Sequence, residues 1–195
     1  MSTVAPPLDL AVSEKRSFYE NINTRWHETA LFWFMVVVLA HWVEHIAQAW
    51  QIWVLGWPRH HAGGALGYYF PWLVHSEVLH YVYALLMLIG LIVLRKAFTG
   101  TARTWWDISL AIQIWHHFEH ALLLGQAMTH KYLFGATEPT SIIQTIVPRI
   151  ELHLFYNTVV FIPMAIGMYY HVFPPKRDIQ RSACTCARHR LATIG

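Results

Sequence analysis

Charge is what this sequence has least of: Asp, Glu, Lys and Arg make up 13% of its 195 residues, where a soluble domain averages roughly 25%. That shortage excludes a disordered chain that keeps itself in solution by charge. It also leaves too few solvated side chains to cover a soluble single domain. Two cysteines are too few for a disulfide scaffold. No glycine-rich phosphate loop and no Ser/His/Asp arrangement is present. What the chain does have is 55% hydrophobic residues, 15% aromatic residues and 14 histidines. Mean hydropathy is only +0.33, because the histidines interrupt runs that are otherwise apolar.

A membrane-crossing helix needs about 20 mostly apolar residues. Four stretches satisfy this, roughly 29–57, 69–94, 105–130 and 146–173. Their length favours helix over the shorter, alternating strands of a membrane barrel. The expected fold is therefore all-α: a polytopic membrane protein of four transmembrane helices. Residues 1–28 form an N-terminal tail, 29–173 the transmembrane domain and 174–195 a C-terminal tail. Pro163 lies inside the fourth stretch and is expected to kink it. Eleven of the 14 Lys and Arg residues fall in the two tails and in the link carrying Arg95, Lys96 and Arg103. By the positive-inside rule both termini are cytoplasmic, in the plasma (cell inner) membrane. Trp26, Trp105 and Trp106 are expected at the inner interface, and Trp53, Trp57 and Trp72 at the outer one. The net charge of +3 then reflects orientation and acidic lipid headgroups, with no nucleic-acid partner implied. The opening residues lack the basic start and apolar core of a cleavable signal. Cys184-Thr-Cys186, with His189 close by, can hold a soft metal ion, but a solvated tail is the expected setting.

The polar residues recur in register. His41-Trp-Val-Glu44-His45 and His116-His117-Phe-Glu119-His120 both read His-x-x-Glu-His, 75 positions apart. Leu79-His80-Tyr-Val-Tyr83 and Leu152-His153-Leu-Phe-Tyr156 both read Leu-His-x-x-Tyr, 73 apart. Near-equal offsets imply two tandem helix–loop–helix repeats, parallel and related by an axis along the membrane normal. All four clusters then fall at a similar level, somewhat nearer the outer face of the bilayer.

Away from its ends, each stretch also carries one carboxylate: Glu44, Glu77, Glu119 and Glu151. An ionised carboxylate in hydrocarbon is costly and marks a paired or functional group. With only Arg149 close by, metal cations, protonated histidines or protonation of the glutamates themselves are the expected means of balance. At about 100° per residue, His45 and Gln48 lie within about 40° of His41, and Glu44 about 60° to the other side. Glu77 and His80 have the Glu-x-x-His spacing of di-metal four-helix bundles. The likeness to such bundles ends at one glutamate per helix and one such motif, and it identifies no family. The expected ligands are His41, Glu44, His45, Glu77, His80, His116, Glu119, His120, Glu151 and His153, oriented by Gln48 and Tyr83. Imidazole-rich donors suit iron, copper or zinc, and a metal-dependent oxidoreductase is the enzyme class this would support. His75, His117 and His171 are expected to be helix–helix hydrogen-bond partners. The competing readings are haem b held by His41/His116 or His45/His120, a proton or metal-ion transporter, and an accessory subunit bound to other membrane subunits.

Overall fold

The computed structural model describes residues 16–74 and 76–181 together with Cys184 and Cys186. Every regular element among them is helical. Helix α1 (Phe18–Ile22) is started by a capping box, in which the Ser17 hydroxyl and the Glu20 carboxylate each accept the other residue's backbone N–H. Then come α2 (His27–Trp53), two short helices α3 (Gly64–Tyr69) and α4 (Pro71–Val74), α5 (Glu77–Leu94), α6 (Gly100–Thr129), α7 (Arg149–Val172) and a 3₁₀ turn at Lys176–Arg181. The four long helices form a ring: α6 packs on α5 and α7, and α2 packs on the same two.

Three of these helices, α2, α5 and α7, are long and apolar enough to cross a membrane. Their pattern is inverted relative to a soluble helix. Along α2, Phe32, Val36, Leu39, Val43, Ile46 and Trp50 stand exposed at steps of three and four, whereas His45, Gln48 and Gln51 are buried. A continuous exposed apolar face of this kind suits acyl chains. Helix α6 spans 30 residues but is richer in polar side chains. Its buried face includes Ser109, Gln113, His116, Glu119, His120 and Gln126.

The half of the bundle nearer α1 is closed by an apolar core of Leu31, Val38, Met87, Leu91, Phe98, Trp106, Val160 and Met164. Trp106 therefore does not sit at an interface as expected from sequence. It is fully buried, stacks on Phe98 with ring centroids 3.9 Å apart, and donates Nε1–H to the Leu91 carbonyl at 2.8 Å. Gly167 lets α6 and α7 approach closely, since a Cβ there would lie 3.1 Å from the Trp106 backbone nitrogen.

The helix limits differ from the expected stretches where local chemistry intervenes. The second long helix starts at Glu77, not near 69, because Ser76 caps it by accepting from Val78 N–H and Pro71 opens a separate turn. Pro148 precedes α7, and the helix continues unbroken through Pro163.

Candidate functional site

Six histidines from all four long helices converge at the end of the bundle away from α1. His45, His116, His120 and His153 are buried, and His41 and His80 half-buried. On α2 and α6 the i, i+4 spacing puts two rings on one face, with centroids 4.5 Å apart for His41 and His45 and 4.6 Å for His116 and His120. His153 of α7 is the hub. Its ring lies 5.4 Å from His45, 5.1 Å from His120, and 5.9 Å from both His80 and His116.

The hydrogen bonds of these rings set their tautomers. A carbonyl can only accept, so a ring nitrogen bonded to one carries the proton. His153 Nδ1 donates to the Arg149 carbonyl at 2.7 Å, and His80 Nδ1 to the Ser76 carbonyl at 3.1 Å. His45 Nδ1 donates to Gln48 Oε1 at 2.8 Å. In each neutral ring the lone pair is thereby left on Nε2. His153 Nε2 is buried without a hydrogen-bond partner, as are Nδ1 of His116 and of His120. His45 Nε2 lies 3.1 Å from His41 Nε2, so His41 donates that bond and its own lone pair falls on Nδ1. Buried histidine nitrogens with lone pairs and no donor facing them are what a metal ion requires. Tyr83 lies against His41 with centroids 4.8 Å apart, and Tyr156 against His116 at 4.4 Å.

Two of the four carboxylates are matched by arginines, so the expected shortage of countercharge is corrected for Glu77 and Glu151. Glu44 and Glu119 instead accept from backbone N–H groups, and Glu44 Oε2 is buried with no hydrogen-bond partner. Arg149 grips Glu77 with two bonds of 2.6 Å. Arg59 pairs with Glu151, Nη1 to Oε2 at 2.7 Å. Glu44 accepts from Leu66 N–H at 2.7 Å, and Glu119 from Ile143 N–H at 3.1 Å. Two glutamines absent from the sequence reading do related work. Gln51 accepts from Gly64 N–H at 2.8 Å and donates to the Gly64 carbonyl at 3.0 Å. Gln126 accepts from Leu133 N–H and donates to the Thr140 carbonyl, both at 2.9 Å. These residues fasten the loops beyond α2 and α6 over the histidines. The signal was available, because Gln51 and Gln126 also stand 75 positions apart.

Above the histidines a cleft of about 970 Å³ opens outward. His45, His80 and His153 form part of its lining, with Arg149 and Glu77. Beneath it a cavity of only about 20 Å³ lies among His41, His80, His116 and His120. His117 points away, its ring 5.1 Å from Tyr81. His75 and His189 lie outside the described residues.

A second polar cluster lies at the opposite end of the bundle, and part of it departs from the expected solvated tail. Cys184 and Cys186 are not solvated; they are 1% and 8% exposed. The turn before them is docked by Asp178, whose Oδ2 accepts from Thr101 N–H at 2.9 Å. His171, expected to be a plain helix–helix contact, receives Cys184 Sγ 3.0 Å from its Nε2. His27, His171 and Cys186 present one ligand atom each, all within 4.8 Å of one another, and this buried group can hold a metal ion. The hydrogen bond with Cys184, reinforced by burial, holds the Cys186 thiol well above its ordinary value. Comparison with protein families, with curated proteins and with solved structures returned no match for this chain.

Proposed function

We propose that this chain is an integral membrane metalloprotein whose six clustered histidines bind one or two transition-metal ions, with oxidative chemistry when the metal is iron or copper. The observation that carries this reading is the hub at His153: five other imidazoles surround it or one another, its Nε2 lone pair is buried with nothing donating to it, and Nδ1 of His116 and of His120 are likewise buried without a partner. Imidazole donors suit iron, copper and zinc. Gln48, Ser76 and Arg149 orient rings from outside the cluster. Of the four buried or half-buried carboxylates, Glu77 and Glu151 are matched by arginines. Glu44 and Glu119 remain as the two acidic groups that can balance one divalent ion, while also holding the loops.

In this reading α6 is a fourth crossing, shielded from lipid on its polar face by α5 and α7. Both termini are cytoplasmic. The matched contacts Glu44–Leu66 and Glu119–Ile143, with Gln51–Gly64 and Gln126–Thr140, support two tandem repeats. The lipid bilayer is the surrounding partner. A transporter fits less well, because Leu91, Trp106 and Met164, all fully buried, close the bundle between its two polar ends. Haem b held between His41 and His116 fits less well too, since the cavity among those rings is only about 20 Å³.

Elemental analysis and an optical spectrum of one detergent-purified sample test the proposal. Bound iron, copper or zinc that is lost in His153→Ala and His120→Ala supports it. A Soret band would replace it with the haem reading, and a protein that takes up no transition metal after reconstitution would overturn it.

A further inference from the structure

We propose that His27, His171, Cys184 and Cys186 form a second metal site, a thiolate–imidazole site for zinc that fastens the C-terminal segment to the cytoplasmic end of the bundle. This goes beyond the histidine cluster and does not depend on it. The two are separated by the apolar core around Leu91 and Trp106.

The four residues come from three separate parts of the chain. His27 is the first residue of α2, His171 lies in the last turn of α7, and the cysteines follow the Lys176–Arg181 turn. All four are at least nine-tenths buried, at 0%, 2%, 1% and 8% exposure. Such burial of a Cys-x-Cys among basic residues is achieved by specific contacts. Besides the Asp178 bond to α6, Arg177 Nη2 donates to Thr101 Oγ1 at 2.9 Å. Those contacts set the segment down where its thiols meet two imidazoles.

Ligand readiness is visible at His27. Its Nδ1 faces the Ile22 carbonyl at 3.3 Å, which puts the proton there and the lone pair on Nε2. That Nε2 is buried with no hydrogen-bond partner, an arrangement a protein seldom leaves without purpose. Zinc bonds of roughly 2.0–2.3 Å in a tetrahedron separate ligand atoms by roughly 3.3–3.8 Å. The observed spread of at most 4.8 Å for His27, His171 and Cys186 lies about 1 Å outside that range. Cys184, 3.0 Å from His171 Nε2 and hydrogen-bonded to Cys186, is the neighbouring thiol that would complete the set. Charge favours the same ion. Two thiolates and two neutral imidazoles around a dication sum to zero, which is the least costly charge to bury. Two sulfur and two nitrogen donors with no open position describe a structural zinc site.

Cobalt(II) titration of the full-length protein in detergent tests this, because cobalt reports its donors optically. The expected result is a thiolate-to-cobalt charge-transfer band with intense tetrahedral visible bands, abolished in C184S/C186S and displaced by one equivalent of zinc. H120A/H153A should retain these bands, so loss of the histidine-cluster metal and loss of this one are separate readouts. Zinc should also slow tryptic cleavage after Arg177, and a chelator should restore it. Absence of the charge-transfer band in the wild-type protein overturns the proposal without recourse to any variant. So does its persistence in C184S/C186S, and so does uptake of copper(I) by these cysteines with no uptake of cobalt or zinc.

Discussion

Arg149 holds Glu77 with both ends of its guanidinium, Nη1 to Oε1 and Nη2 to Oε2, each at 2.6 Å. The pair joins the first turns of α5 and α7, and the Glu77 side chain is only 9% exposed. The same residue's carbonyl accepts from His153 Nδ1, so one residue neutralises a buried acid and orients the hub of the histidine cluster.

Breaking this pair from one side strands a charge in a poorly solvated place. Arg149→Gln should cost about 3 kcal/mol, lowering the unfolding midpoint in detergent by roughly 6–12 °C for a chain of this size. Glu77→Gln alone should also destabilise, by leaving the guanidinium unpaired. The double variant should recover a substantial part of the loss, because neither charge is then left without its partner. Simple additivity of the two losses in thermal unfolding would show that the bidentate geometry contributes nothing.

His153 and His117 make a matched test of the metal reading. Both are histidines at the level of the cluster, but only His153 faces other imidazoles, whereas His117 packs on Tyr81. His153→Ala should abolish stoichiometric metal binding, and His117→Ala should leave it intact. Acidification should release the metal from the wild-type protein, since protons compete for the same lone pairs. Metal content measured on gel-filtered samples checks all three outcomes, and equal loss in the two variants would point to misfolding instead of ligation.

The ring orientation of His45 gives a finer prediction. Gln48 fixes its tautomer at 2.8 Å without belonging to the cluster. Gln48→Leu keeps the volume and removes the acceptor, so the ring can rotate and its Nε2 no longer has a fixed direction. Loss of such an orienting partner typically costs roughly 10–100-fold in metal affinity. Competition against a chelator of known strength reads this directly, with the unfolding midpoint of the metal-free protein expected to change little.

Much of this arrangement was legible in the sequence, for reasons of spacing. His-x-x-Glu-His puts two rings on one helix face whatever surrounds it, and its recurrence at 75 positions brought His41, His45, His116 and His120 to one level. The countercharge of Glu77 and Glu151 was missed because their partners are remote: Arg59 lies 92 positions from Glu151, and Arg149 lies 72 from Glu77. No local pattern signals such pairs. Trp106 resembled an interfacial tryptophan because it sits near a basic link, yet the polar face of α6 turns it into the core. His27 and His171 stand at opposite ends of the chain, and only the docking of Asp178 on α6 reveals that the cysteines between basic residues fold back to meet them.

The paired glutamines make the last test, and it bears on the loops that roof the histidines. Gln51 satisfies both backbone groups of Gly64, and Gln126 does the same for Thr140 while also capping Leu133. Gly64 has φ of +73°, and a Cβ there would overlap the Glu44 carboxylate. The loop can therefore be held in this shape only by a glycine beneath a side chain that supplies the missing bonds. Gln51→Leu leaves a buried N–H and a buried C=O unsatisfied at about 1–3 kcal/mol each, and Gln126→Leu should cost at least as much. Because the loops are peripheral to the packed core, the cost should fall on local opening more than on global unfolding. Hydrogen exchange should accelerate at residues 64–66 in the first variant and at 140–143 in the second, each without effect on the other loop. Acceleration of both loops in both variants would mean that the two halves open as one unit, and the tandem-repeat description would then lose its independence of parts.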